Sequence, residues 1–183
     1  MQLVRYQDLK AQRWQNGGGI TRVIASASTD DGIPDWRISI AEVSKPGPFS
    51  ALAGIDRIIT LIDGEFLLLT VDGAEHGLEK YRPFRFSGDA ETSAELPTGP
   101  GKDLNLMTRR GAFHGFVTVL ELSKKRPHPV FEDQWVVLLQ GSAQLQDETE
   151  LQRFDAVQGA ATPPELTGRG FIAVISLEAS TTD

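Results

Sequence analysis

A glycine-rich loop near the start of the chain is the first place where the residue types could support chemistry. Gly17, Gly18 and Gly19 stand together before a run of β-forming residues, and glycines in such a loop let the backbone approach a ligand closely. The Lys-Ser/Thr pair of a phosphate-binding loop is absent, so the glycines alone favour a simple turn. Trp14 and Asn16 shift this interpretation towards a pocket, because an amide beside an aromatic wall can orient a planar ligand.

Polar residues inside predicted strands are the second candidate. Arg37 and Ser39 alternate with apolar residues, and Arg57 opens a later apolar run. Asn105 and Arg109 would share one face of another strand. These side chains either face solvent or point into a pocket, and the alternation leaves both interpretations open. In the second case the arginines would suit a carboxylate, because a guanidinium group pairs with it through two hydrogen bonds.

Metal sites and common catalytic groups find no support in the sequence. The histidines, His76, His114 and His128, are scattered and lack the HxH or HExxH spacing of a metal site. The chain has no cysteine, which excludes thiolate ligands and a cysteine nucleophile, and it has no G-x-S-x-G motif of a serine hydrolase. We therefore predict no catalytic residue, no protein-bound metal and no cofactor.

Composition narrows the range of partners. The chain has 183 residues and a formal net charge of -7, which argues against sequence-independent binding to nucleic acid. No run approaches the ~18 apolar residues that a membrane-spanning helix needs, so a membrane partner is not expected and a cytoplasmic location is predicted. The length suits one large domain or two small fused ones.

The elements that must position these residues are short strands. The runs are rich in Val, Ile, Thr and aromatic residues and end at Gly, Pro, Asp or Asn, which is typical of an all-β sandwich or barrel. The predicted strands are residues 20–28, 36–43, 57–62, 65–71, 104–109, 116–122, 135–140 and 171–177. Only residues 6–14 have a pattern that allows a helical turn or two.

Turn chemistry predicts two hairpins. Asp63-Gly64 and Gln140-Gly141 each separate two apolar runs, and a tight type I′ turn needs positive φ at both central residues. Each pair is followed by a similar segment, at residues 83–90 and 153–160. The repeat favours an internal duplication, although two β-rich halves can also share hairpins by coincidence. The polar stretch 123–129 is the predicted seam between the halves.

Five blocks of the sequence carry a resemblance to a known family. They are W-x-N-G-G-G-x-T from Trp14, W-R-I-S-x-A from Trp36, G-P-F-S from Gly47, G-I-D-R from Gly54 and D-L-N-L-M-x-R-R-G from Asp103. In this order and spacing the blocks resemble the HutD/Ves family. The resemblance is strong over residues 6–111 and weak beyond them.

The resemblance implies an all-β bicupin fold, with two cupin-like β-barrel or jelly-roll halves fused in one compact unit. The implied halves are residues 1–122, which carry the ligand site, and residues 123–183, which are completed by strands from the N-terminal segment. A homodimer is also expected, because cupins often pair through strand edges.

The resemblance also implies a function linked to histidine utilisation. It favours a non-catalytic protein that senses or buffers a small carboxylate metabolite, urocanate or formylglutamate. A metal-independent isomerase or hydrolase and a dimeric stress-associated scaffold of the Ves type are the alternatives. The ligand-binding residues implied by this assignment are Trp14, Asn16, Gly17, Gly18, Arg37, Ser39, Arg57, Asn105 and Arg109.

Overall fold

In the part of the chain that the structure describes, the regular structure consists of strands and one short 3-10 helix at Tyr6–Asp8. A computed structural model describes residues 1–28 and 34–180, with the backbone alone at Ser28. The strands, in chain order, are β1 (Gln2–Val4), β2 (Gln12–Arg13), β3 (Gly19–Ser28), β4 (Pro34–Val43), β5 (Gly47–Pro48), β6 (Ile55–Asp63), β7 (Phe66–Val71), β8 (Ala74–Glu79), β9 (Phe84–Ser87), β10 (Thr92–Glu95), β11 (Gly101–Arg109), β12 (Phe113–Leu122), β13 (His128–Pro129), β14 (Gln134–Leu145), β15 (Glu150–Leu151), β16 (Ala156–Gln158) and β17 (Glu165–Ala179). The predicted all-β class is confirmed. Within the described ranges no helix has the length and hydrophobicity of a membrane span.

The chain divides into two compact units. Unit 1 contains Met1–Leu9 and Phe116–Glu178, and unit 2 contains Lys10–Gly115 together with the C-terminal residues from Ala179. The predicted bounds of the two cupin-like halves, 1–122 and 123–183, stay a prediction.

Unit 1 is built on sheet A, in which the strands follow the order β1-β16-β14-β17-β12, with β13 and β15 paired to β17 and β14. Apolar side chains at alternate positions supply its core, including Val136 and Leu138 on β14 and Ile172 and Val174 on β17. Alternation along paired strands thus buries one continuous apolar face.

The predicted hairpin at Gln140-Gly141 is wrong. Strand β14 runs through this position and stays antiparallel to β17, with a shift of register between Leu138 and Gln140. Gly141 (φ +91) lies opposite Gly170 (φ +126), and a Cβ on Gly141 would lie 1.9 Å from the carbonyl oxygen of Arg169. The glycine therefore permits a bulge and a close approach of two strands. A glycine between two apolar runs is also the sequence pattern of a turn.

Unit 2 contains two sheets that share a hydrophobic core. Sheet B has the order β2-β3-β4-β11-β6-β9, and sheet C has the order β5-β10-β7-β8. Ile59 and Leu61 of sheet B belong to one buried cluster with Leu67 and Leu69 of sheet C. Packing of the two inner faces holds unit 2 together.

The predicted hairpin at Asp63-Gly64 is also wrong, because the strands on its two sides belong to different sheets. Strand β6 lies in sheet B and β7 in sheet C, and only Gly64 of the pair has positive φ (+92). The turn is a corner between sheets. The tight hairpin lies one strand later, at Asp72-Gly73, where both φ values are positive (47 and 81) and β7 pairs with β8.

Candidate functional site

One face of sheet B carries polar side chains in rows. Residues paired directly across antiparallel strands point to the same face, so the register shows which side chains meet. The rows across β4, β11 and β6 are Arg37–Met107–Arg57, Ser39–Asn105–Ile59 and Ala41–Asp103–Leu61. The register therefore places two arginines on opposite sides of Met107.

A cavity of about 710 Å³ lies against this face of unit 2. Six of the predicted ligand-binding residues line it: Trp14, Asn16, Arg37, Ser39, Arg57 and Asn105. The lining also contains residues that were not predicted as ligands: Gln12, Arg13, Gln15, Thr21, Ala41, Pro48, Phe49, Ser50, Leu52, Asp103 and Met107. A concave site with a few convergent polar groups on an apolar wall is typical of small-molecule binding.

Arg57 is the most enclosed cation of the lining, with 6% of its surface exposed. Its guanidinium carbon lies 5.3 Å from the ring centre of Phe49 and 4.9 Å from that of Phe86, which are cation–π distances. Nη2 donates a hydrogen bond to Oδ1 of Asn105 (3.3 Å), whereas Nε has no partner among the described residues. Burial lowers the pKa of Arg57 to about 10, which leaves the group charged at neutral pH.

Asp103 is a buried carboxyl group beside this arginine, with 1% of its surface exposed. The amide of Asn105 donates a hydrogen bond to Oδ1, so Asn105 connects Arg57 to Asp103, while Oδ2 has no partner among the described residues. Burial raises the pKa of Asp103 to about 7, although the positive charge of Arg57 opposes the shift. Sequence reasoning missed this residue. The signal that could have found it is the alternation that puts it on the same face as Asn105.

Arg37 is the second guanidinium group of the cavity. Nη2 donates to the sulfur of Met107 (3.1 Å), which is a weak acceptor, and Nε has no partner among the described residues. Burial lowers the pKa of Arg37, and its charge in turn lowers the pKa of Arg57. The two cations are thus close enough to repel each other, which is an arrangement that an anion between them would relieve.

The glycine loop supports one wall of the cavity through Trp14 and Asn16. The indole of Trp14 packs edge-on against Phe49 (5.9 Å between ring centres) and donates to the hydroxyl of Thr21 (2.8 Å). A Cβ on Gly19 would lie 2.5 Å from the carbonyl oxygen of Glu42. Glycine at this position therefore lets the loop pack closely against β4.

Asn16 fixes the turn as well as lining the cavity. Its Oδ1 accepts from the amide of Gly18 (2.9 Å), and its Nδ2 donates to the carbonyl of Pro48 (3.4 Å). Gly18 lines no described cavity, and Gly17 lines a separate one of about 240 Å³. The two glycines thus shape the loop from outside the larger cavity.

Arg109 is the third predicted site residue that does not line the larger cavity. Its Nε donates to Oδ1 of Asp35 (2.9 Å), and Nη2 binds the same oxygen. The carboxylate of Asp35, at the start of β4, holds this arginine in a partly buried ion pair.

Metal ligands are not clustered in the described part of the chain, where no group of three His, Cys, Asp or Glu residues could hold an ion. None of the three histidines lines the cavity. The chemistry that this lining supports is recognition of an anion by Arg37 and Arg57, with hydrogen bonds from the amides of Asn16 and Asn105.

The fold is of the cupin type. The chain is similar to a cupin 2 conserved barrel domain protein from Leptotrichia buccalis, with a TM-score of 0.60 and 11% identity over 97% of this chain and 96% of that one. This likeness concerns the fold alone. Fold and cavity together define an all-β cupin-like protein with a cationic pocket.

The chain belongs to the HutD family, whose model matches residues 6–173. It is 32% identical to HutD from Pseudomonas fluorescens SBW25, with a TM-score of 0.85 over 98% of this chain and 99% of that one. An uncharacterized 21.2 kDa protein in the hutC 3′ region of Pseudomonas putida is 41% identical over 58% of this chain, and Protein Ves of Citrobacter koseri is 41% identical over 53% of it. These two matches span about half the length of the curated relatives (57% and 52%).

Proposed function

We propose that this protein binds a small carboxylate metabolite of histidine catabolism, urocanate or formylglutamate, in the cavity of unit 2, and that it senses or buffers this metabolite without converting it. The observation that carries the proposal is the pair of guanidinium groups, Arg37 and Arg57, on one face of sheet B beside a cavity of about 710 Å³. Membership of the HutD family supports the choice of pathway.

Desolvation is the physical reason for expecting an anion there. Burying a cation costs free energy unless an opposite charge or a strong hydrogen-bond acceptor pairs with it. The Nε atoms of Arg37 and Arg57 are enclosed and have no partner among the described residues. The Nη2 of Arg37 donates a hydrogen bond to the sulfur of Met107, which is a weak acceptor. A carboxylate between the guanidinium groups would supply both the charge and the acceptors.

The aromatic and amide groups fit the rest of such a ligand. Trp14 and Phe49 form an apolar wall, and Asn16 and Asn105 each carry an amide at the lining. A flat ring or a short acyl chain could lie on that wall while its polar atoms meet the amides.

Calorimetric titration tests the proposal. Urocanate or formylglutamate should bind the wild type, and Arg57→Ala should weaken the binding by about 30-fold or more, because loss of a buried charged partner costs about 2 kcal/mol or more. Arg82→Ala is the matched control, since Arg82 is exposed and forms a surface ion pair with Glu79, away from the cavity lining. Circular dichroism of each variant checks the fold. Negligible heat from the wild type with both metabolites would contradict the proposal.

A metal-independent enzyme is the second candidate, and Asp103 is the observation that favours it. A buried carboxyl group with a pKa near 7 is suited to take up and release a proton at neutral pH. Proton NMR of pure protein with each metabolite distinguishes the two functions. Conversion that Asp103→Asn abolishes would establish an enzyme. Unchanged spectra over long incubation with a metabolite that calorimetry shows to bind would contradict the enzyme.

A further inference from the structure

Asp103 is the one carboxylate among the described residues that line the larger cavity. It lies in the middle of sheet B, between Ala41 on β4 and Leu61 on β6, and is almost fully enclosed. A carboxylate next to an anion site repels the anion and weakens its binding. The position of Asp103 therefore needs an explanation that the arginines alone do not provide.

The charges around Asp103 come from three strands. Arg57 on β6 and Arg37 on β4 face the same side of the sheet, and Arg13 on β2 lines the cavity from an exposed position where water screens its charge. The segment of residues 48–52 contributes no titratable side chain to the lining. The charge of the site away from bulk water is thus set by the buried Arg57 and Asp103 and by the partly buried Arg37.

The net charge of these three groups depends on the protonation of Asp103. With the carboxylate ionised, the two cations leave one positive charge to be neutralised, and with the carboxyl protonated they leave two. A net charge that stays buried is unfavourable, so the anion that cancels the enclosed charge binds best. Asn105 contacts both Arg57 and Asp103, which couples the carboxyl group to the cation that would hold the ligand.

We propose that Asp103 determines the charge of the anion that the cavity accepts, so that the site prefers a monocarboxylate when this carboxyl group is ionised and a dicarboxylate when it is neutral. The inference rests on the proposed function, because it assumes that the cavity binds a carboxylate. Above neutral pH the cavity selects singly charged metabolites over doubly charged ones of the same size.

The burial of Asp103 determines the pH at which the preference should change. Oδ2 of Asp103 is enclosed and has no donor among the described residues. The charge of Arg57 and the hydrogen bond from Asn105 to Oδ1 favour the ionised form, but burial opposes them more strongly. Burial raises the pKa of Asp103 to about 7. The change of selectivity should therefore occur around neutral pH.

A matched pair of ligands tests this directly. N-formylglutamine and N-formylglutamate have nearly the same shape, but the first is a monoanion and the second a dianion, and their carboxyl groups stay ionised above about pH 5.5. Titration calorimetry on the whole chain at about pH 8.5 and about pH 5.5 gives the ratio of the two affinities. In the wild type the preference for the monoanion should fall at least about tenfold at the lower pH.

The Asp103→Asn variant should show the low-pH selectivity at both pH values, because its amide cannot ionise. An affinity ratio in the wild type that does not change with pH would overturn the inference and leave the proposed function intact. Failure of both probes and of urocanate to bind would overturn the inference and the proposed function together. The wild-type series decides the matter without the variant, so a failure of Asp103→Asn to fold does not weaken the test.

Discussion

At the scale of single residues, the buried carboxyl group of Asp103 affects stability as well as ligand choice. A group whose pKa is higher in the folded chain than in the unfolded chain binds more protons when folded. The usual pKa of 3.8 rises to about 7 in the folded state of Asp103. Its contribution to the free energy of unfolding is therefore most favourable below about pH 4, declines as the pH rises to about 7, and is constant above that.

In the Asp103→Asn variant, the free energy of unfolding should lose the part of its decline with pH that comes from this carboxyl group. Urea unfolding of wild type and variant at about pH 4.5 and about pH 8 measures it, and the variant should gain stability relative to the wild type at the higher pH. Between the two pH values the difference should change by about 1.4 kcal/mol for each pH unit between the lower pH and the folded-state pKa of Asp103, which already includes the attraction of Arg57. A difference between the two proteins that is the same at both pH values would show that Asp103 is ionised throughout.

At the scale of elements, glycine at positive φ allows β14 and β17 to approach each other. Gly141 has φ +91, and its Cβ position is 1.9 Å from a backbone oxygen of β17. Gly111, in the turn after β11, has φ +81 but has no atom within 4 Å of its Cβ position. The two glycines share the backbone conformation and differ in the space around them.

Alanine substitutions at the two glycines separate these effects. Gly111→Ala should lower the free energy of unfolding by about 1–2 kcal/mol, which is the strain of the left-handed conformation. Gly141→Ala should lower it by more than about 3 kcal/mol, because the strands must also move apart. Chemical denaturation of both variants provides the comparison. Equal losses would mean that β14 accommodates the methyl group without separating from β17.

At the scale of the whole molecule, ligand binding and metal content can be separated in one assay. The described residues contain no cluster of metal ligands, and the sequence has no cysteine. Treatment with a chelator should therefore leave the unfolding temperature unchanged. A ligand at about 100 times its Kd should raise it, since binding to the folded state then contributes about 2.7 kcal/mol. A drop in unfolding temperature after chelation, reversed by added metal, would contradict this expectation.

Self-association also belongs to this scale. The homodimer expected from the family resemblance stays a prediction, and light scattering coupled to gel filtration measures it. A mass near 20.0 kDa, that of one chain, would contradict it.

Local patterns were sufficient for the class of fold and for much of the site. Alternation along a strand is a property of the extended backbone, so the sharing of a face by Arg37 and Ser39 could be predicted without knowing any neighbour. The same is true of the existence and type of the long strands. Five motif blocks then identified the family, and with it the residues Trp14, Asn16, Arg57 and Asn105, which do line the cavity.

Contacts between distant segments determined the rest. The pairs Asp63-Gly64 and Gln140-Gly141 look alike locally, yet one is a corner between sheets and the other a bulge within a strand, because strand pairing is set by partners far along the chain. Arg109 has the pattern of a site residue, but Asp35, 74 positions away, binds it. The burial of Asp103 likewise depends on β4 and β6 closing around β11. Charge and desolvation act through space, so their outcome depends on the neighbours that folding brings together.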